Sequence, residues 1–66
     1  MATRIELFEQ ALDDFGETVY FYVDGSYIRR DAGNGMWRLY DTNNKNIDND
    51  QYRHDLMERN GLQFPY

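Results

Sequence analysis

VYFYVDGSYIRR, residues 19–30, is the stretch on which the fold turns. Val19, Phe21 and Val23 alternate with Thr18, Tyr20 and Tyr22, the two-residue period of a strand. Asp24-Gly25 is a favoured two-residue hairpin turn, because glycine adopts positive φ freely and aspartate tolerates it better than most residues. That turn pairs Val23 with Ser26, Tyr22 with Tyr27 and Phe21 with Ile28. Opposed residues share a face of the sheet. One face then carries Val19, Phe21, Val23, Ile28 and Arg30; the other carries Tyr20, Tyr22, Tyr27 and Arg29. The first is the expected core and the second the expected open surface.

Downstream, DAGNG is a second turn and MWRLYD a third strand. A two-residue turn at Asn34-Gly35 would set Arg30 opposite Leu39, whereas a turn centred on Gly33-Asn34, or a four-residue loop, sets Ile28 opposite Leu39 and Tyr27 opposite Tyr40. The second register keeps apolar with apolar and is preferred. It adds Trp37 and Leu39 to the core face, and Met36, Arg38 and Tyr40 to the tyrosine face. Upstream, Ile5, Phe8, Leu12 and Phe15 recur at helical spacing in TRIELFEQALDDFG. Thr3 and Glu6 form a capping box and Gly16 a stop, which predicts a helix over 4–15 lying on the core face. The asparagine-rich DTNNKNIDND reads as a loop. A second helix follows, with Asp48 as cap, Gln51 completing the box and Ile47 stapling Tyr52. Asn60-Gly61 ends it, with Leu62 folding back on its last turn. The expectation is a single small α+β domain over 1–66: helix, three-stranded antiparallel β-meander, helix (α-β-β-β-α).

At 66 residues the core is small; such a core rarely supplies more than about 3–5 kcal/mol of net stability. There is no cysteine, so neither a disulfide nor a thiolate metal site can help. No run approaches a membrane span and no signal-peptide pattern opens the chain, which leads us to expect a soluble protein of the cytoplasm.

The stock of catalytic groups is thin. Ser26 follows a hairpin turn rather than a strand-to-helix elbow, and His54 sits mid-helix between Arg53 and Asp55. No enzymatic activity and no cofactor are expected. DTNNKNIDNDQY is rich in oxygen ligands, but counted from Asp41 it lacks the glycine at position six and the glutamate at position twelve of a calcium loop. No metal is expected. Tyrosines and arginines on one sheet face would suit base stacking, yet seven basic residues face twelve acids and the net charge is −5. The protein's own field opposes phosphate, so direct nucleic-acid binding is not expected.

The same charge attracts basic surfaces. On the predicted first helix Glu6, Glu9, Asp13 and Glu17 form a stripe with Asp14 beside it, and Asp48 and Asp50 begin the second helix. Such carboxylates can stand in for backbone phosphates. Tyrosine and arginine are enriched at the energetic centres of protein interfaces. The expected contact residues are therefore Glu6, Glu9, Asp13, Asp14, Tyr20, Tyr22, Tyr27, Arg29, Tyr40, Asp48 and Asp50. In size, acidity and aromatic-bearing sheet the chain resembles the small phage-encoded inhibitors of host defence nucleases, anti-CRISPR proteins among them. The resemblance is one of class and transfers no functional residue. It implies a protein-binding inhibitor, in the host cytoplasm if phage-encoded, that blocks a basic nucleic-acid-binding surface of a larger protein by steric and electrostatic competition. The alternative is a self-associating structural or regulatory module, such as a homodimer, without a nucleic-acid-related target.

Overall fold

The computed structural model describes residues 3–66. Five strands run in chain order: β1 (Leu7–Leu12), β2 (Thr18–Tyr22), β3 (Tyr27–Arg30), β4 (Trp37–Tyr40) and β5 (Asn46–Asp50). One short helix, α1 (Arg53–Arg59), follows. The strands form a single antiparallel meander in which each pairs with the next. The expected helix–three strands–helix order is therefore wrong at its first element, and the sheet has two strands more than expected.

The segment predicted as helix 4–15 is extended and pairs with β2, Ala11 opposite Val19 and Leu12 opposite Thr18. A helix of this length is marginal without an apolar partner for its stripe. The β2 edge instead offers the backbone a ladder of hydrogen bonds. Asp13 closes the hairpin: its Oδ1 accepts the N–H groups of Phe15 and Glu17, both at 2.9 Å. Gly16 adopts φ +78, as a helix stop would require, but here it serves a strand-to-strand turn.

The supposed loop over 41–50 is half turn and half strand. Asp41 Oδ1 accepts the N–H groups of Asn43 and Lys45, and Asn44 sits at φ 63. β5 then pairs with β4, Trp37 opposite Asp50. Asp48 is thus a strand residue, not a helix cap; Ile47 and Tyr52 are both exposed and form no staple. The C-terminal helix itself is present, shorter than expected. Gly61 ends it at φ +67, and Leu62 folds back with its N–H donating to Met57 O at 2.9 Å.

The β3–β4 register is the preferred one, Ile28 opposite Leu39 and Tyr27 opposite Tyr40. The β2–β3 register is not. Tyr22 N–H donates to Ser26 O at 2.9 Å and Gly25 N–H to Tyr22 O at 3.0 Å. The loop is therefore the three residues Val23-Asp24-Gly25, with glycine at φ +93 in the position that this hairpin reserves for it. Asp24 Oδ1 secures the turn by accepting the Ser26 N–H at 2.9 Å. Tyr20 now opposes Ile28, and Phe21 opposes Tyr27. A one-residue slip exchanges the faces of a strand. Tyr20 and Tyr22 lie in the core at 5% and 3% exposure, while Phe21 and Val23, expected inside, are exposed.

The core lies on one side of the sheet. Tyr20, Tyr22, Ile28 and Leu39 pack with Leu56 and Met57 of α1 and with Leu62; Ile5, Leu7, Trp37 and Phe64 pack around them. The buried phenols are satisfied. Tyr22 OH donates to Gln63 O at 2.9 Å, and Arg53 Nη1 donates to Tyr20 Oη at 2.6 Å. The two ends of the chain are knit together beside this core. Ile5 N–H donates to Gly61 O at 2.8 Å, and Gln63 N–H donates to Ile5 O at 2.9 Å. One helix and the C-terminal tail cover one face; the opposite face has no such cover among the described residues. No described helix is long and apolar enough to cross a membrane.

Candidate protein-binding face

Strand alternation places Glu9, Ala11, Val19, Phe21, Tyr27, Arg29, Arg38 and Tyr40 on the uncovered face, where Val19 is nonetheless buried among its neighbours, as expected from the sequence. Three aromatic rings cross β2, β3 and β4 as a ladder. Phe21 and Tyr27 have centroids 5.8 Å apart; Tyr27 and Tyr40 stack at 4.9 Å with planes 14° apart. Cross-strand aromatic pairs of this kind stabilise the sheet while leaving ring edges for a partner. Tyr27 OH donates to Asn44 Oδ1 at 3.1 Å, which fixes its orientation.

Arg29 and Arg38 are directly opposed on this face. Each is neutralised by a nearby acid. Arg29 Nη2 lies 3.1 Å from Asp13 Oδ2, and Arg38 Nη2 lies 3.1 Å from Asp31 Oδ2. The Glu17 N–H, then the Phe15 N–H and Arg29, hold the Asp13 carboxyl below the usual range. The Gly33 N–H and Arg38 do the same for Asp31. The two guanidinium groups therefore have resident counter-charges and are not free cations for phosphate.

Two concavities flank the ladder. One, of about 510 Å³, is lined by Phe15, Arg29, Asp31, Arg38 and Tyr40 among others. The second, of about 710 Å³, is bounded by Phe8, Glu9, Phe21 and Val23 together with the Gly25-Ser26 turn. Phe8 stands at an irregularity of the β1–β2 register between Leu7 and Glu9, and is 70% exposed.

No family model, curated protein or solved structure matches the chain. The site is therefore read from its own chemistry.

The structure divides the expected contact residues into three groups. Glu9, Asp13, Tyr27, Arg29 and Tyr40 come together on the uncovered face, with Glu6, just before β1, and Asp14, in the turn after it, exposed nearby. Tyr20 and Tyr22 are inside. Asp48 and Asp50 lie on β5, at the far edge of the sheet, gripped by Arg59 at 3.0 and 2.9 Å. Arg59, with Asn60, pulls the Asp48 carboxyl down to about 2; the Tyr52 N–H and Arg59 lower that of Asp50. These two acids hold α1 to the sheet edge. The helical acidic stripe does not exist: Glu17 pairs with Arg30 at 2.9 Å and Asp13 with Arg29. Sequence reasoning missed Phe8, Phe21 and Val23 as surface residues. For Phe21 and Val23 the available signal was the alternative three-residue turn at Val23-Asp24-Gly25; for Phe8 there was none.

Proposed function

We propose that the protein is a small acidic binding module that docks, without turnover, on a basic surface of a larger protein and competes there with nucleic acid. The observation that carries this reading is the uncovered sheet face. It presents an aromatic ladder of Phe21, Tyr27 and Tyr40, its two guanidiniums are already countered by Asp13 and Asp31, and the chain has a net charge of −5. Aromatic contact area supplies affinity, and the surrounding field supplies attraction and fast association. A nucleic-acid-handling complex is the fitting target, as for the phage-encoded inhibitors that the chain resembles in size and acidity.

The test is capture of a partner from host lysate at low and high salt, followed by a competition assay with the captured protein. Binding should weaken as salt rises, the captured protein should release bound nucleic acid, and Tyr40→Ala should weaken both effects. Salt-independent capture, or a target that binds no nucleic acid, would refute it. A second reading, self-association, is favoured by Leu12 and Phe15, exposed at the β1–β2 turn and outside the Phe8–Phe21 concavity. Sedimentation over a range of concentrations decides it, since a concentration-independent monomer excludes the dimer.

A further inference from the structure

Charge along this chain is segregated in a way that bears on its two concavities. Between residues 5 and 28 there are Glu6, Glu9, Asp13, Asp14, Glu17 and Asp24, and no lysine, arginine or histidine. These residues build β1, β2 and the turn between β2 and β3, and hence the groove of Phe8, Glu9, Phe21 and Val23. Phe8, Phe21, Tyr22 and Val23 are among the residues that line it, and Glu9 stands on its wall. Glu6 and Asp24 flank it through the chain, since Glu6 O accepts the Val23 N–H at 3.0 Å and Asp24 belongs to the adjoining turn. The other concavity is lined by Arg29, Arg38 and Asp31, and its guanidinium groups are paired with Asp13 and Asp31.

We propose that the Phe8–Phe21 groove is a socket for an arginine or lysine side chain of the basic partner protein. Such a side chain has an apolar stem and a charged head. The stem lies along Phe8, Phe21 and Val23, where the ring faces also attract the cation. The head meets Glu9 in a field that Glu6 and Asp24 reinforce. The other concavity offers the cation no such attraction, because Asp13 and Asp31 are already engaged by Arg29 and Arg38. A second copy of this chain is the wrong occupant: its own acidic half would bring Glu6, Glu9 and Asp24 against their counterparts, and like charges across an interface oppose binding.

This inference rests on the reading of a basic partner, and the experiment separates the two. Isotope-labelled protein is titrated with a peptide of alternating arginine and valine, with the glutamate–valine peptide as control, while backbone amide signals are followed by NMR. The expected result is movement of the Phe8, Glu9, Phe21 and Val23 amides with the arginine peptide alone. Glu9→Gln should weaken the peptide about fivefold, as for an exposed charge pair, and Phe8→Ala about tenfold or more, as for an aromatic anchor. Both side chains are exposed, so both variants should keep the native amide spectrum. Binding that maps to Tyr40 or to β5 would overturn the socket and leave the basic partner standing. Failure to bind the arginine peptide anywhere would overturn both. Spermine moving the same amides as strongly as the peptide would replace side-chain recognition by general cation attraction. Shifts that depend on protein concentration without peptide would give the groove to a second copy.

Discussion

Replacing Gly25 by alanine probes the turn that decides which face of β2 is buried. At φ +93 an L-residue occupies the left-handed region, at a cost of about 1–2 kcal/mol. The added Cβ would stand 2.6 Å from Thr42 Oγ1 and 3.5 Å from Thr42 Cβ, so the threonine side chain must turn away. That breaks the bond it donates to Asp24 O at 2.8 Å, worth about 0.5–1.5 kcal/mol net. The expected loss is about 2–3 kcal/mol, most of the net stability such a small core provides. At about 4–8 °C per kcal/mol, Tm falls by about 10–20 °C in a thermal melt followed by circular dichroism. Gly16→Ala is the internal control. It has a similar φ of +78, but an added Cβ meets nothing within 4 Å, so only the conformational cost of about 1–2 kcal/mol applies. In a Thr42→Ala background the penalty of Gly25→Ala should fall to that of Gly16→Ala, a coupling readable by double-mutant cycle. If Gly25→Ala and Gly16→Ala cost the same, and Thr42→Ala changes neither, the turn is closed elsewhere and the assignment of the two faces falls with it.

Leu56→Ala empties the centre of a core covered by one helix; a loss of about 2–5 kcal/mol should leave the domain unfolded at room temperature, and a native far-UV spectrum would contradict that packing. The hydrogen bonds from Arg59 and Asn60 pull the Asp48 carboxyl from its ordinary 3.8 down to about 2, so its contribution is present above that ordinary value and is lost as pH falls from about 4 towards 2. Asp48→Asn should flatten the dependence of stability on pH in that window, measured by urea unfolding. Burial pushes the Tyr22 phenol up to about 12, so between about pH 10 and 12 the unfolded chain gives up its proton first and stability falls as pH rises. Phenolate absorbance should show a step, absent from Tyr22→Phe, that coincides with alkaline unfolding; Tyr22 ionising near pH 10 with the fold intact would contradict its burial.

The legible parts of the fold were those in which local chemistry and tertiary packing agree. β2, β3 and β4 alternate and are separated by turn residues, and the Ile28–Leu39 register followed from matching apolar positions. The end of α1 was legible because Gly61 and Leu62 serve a local hydrogen-bonding need. β1 was not, because Ile5, Phe8, Leu12 and Phe15 carry a helical period that the structure does not use: Phe8, Leu12 and Phe15 are exposed. β5 was hidden because an edge strand needs few apolar residues, and its aspartates are held by Arg59, eleven residues beyond Asp48. The candidate site suffered from one residue of register. Tyr27, Arg29 and Tyr40 stayed on the uncovered face, while Tyr20 and Tyr22 changed places with Phe21 and Val23.

The sequence by itself determined that the chain is acidic, that its charge is segregated towards its first half, that a central meander exists and that glycine closes its turns. These are properties of composition and of neighbours a few residues apart, where backbone sterics act directly. Only the tertiary structure decided that residues 7–12 pair with β2, that the β2–β3 turn has three residues, and hence which aromatics are core and which are surface. A strand has two equivalent faces until something distant covers one. Here α1 and the tail at Gln63 do so, giving the Tyr20 and Tyr22 hydroxyls their partners and leaving Phe21 and Tyr27 on the uncovered side.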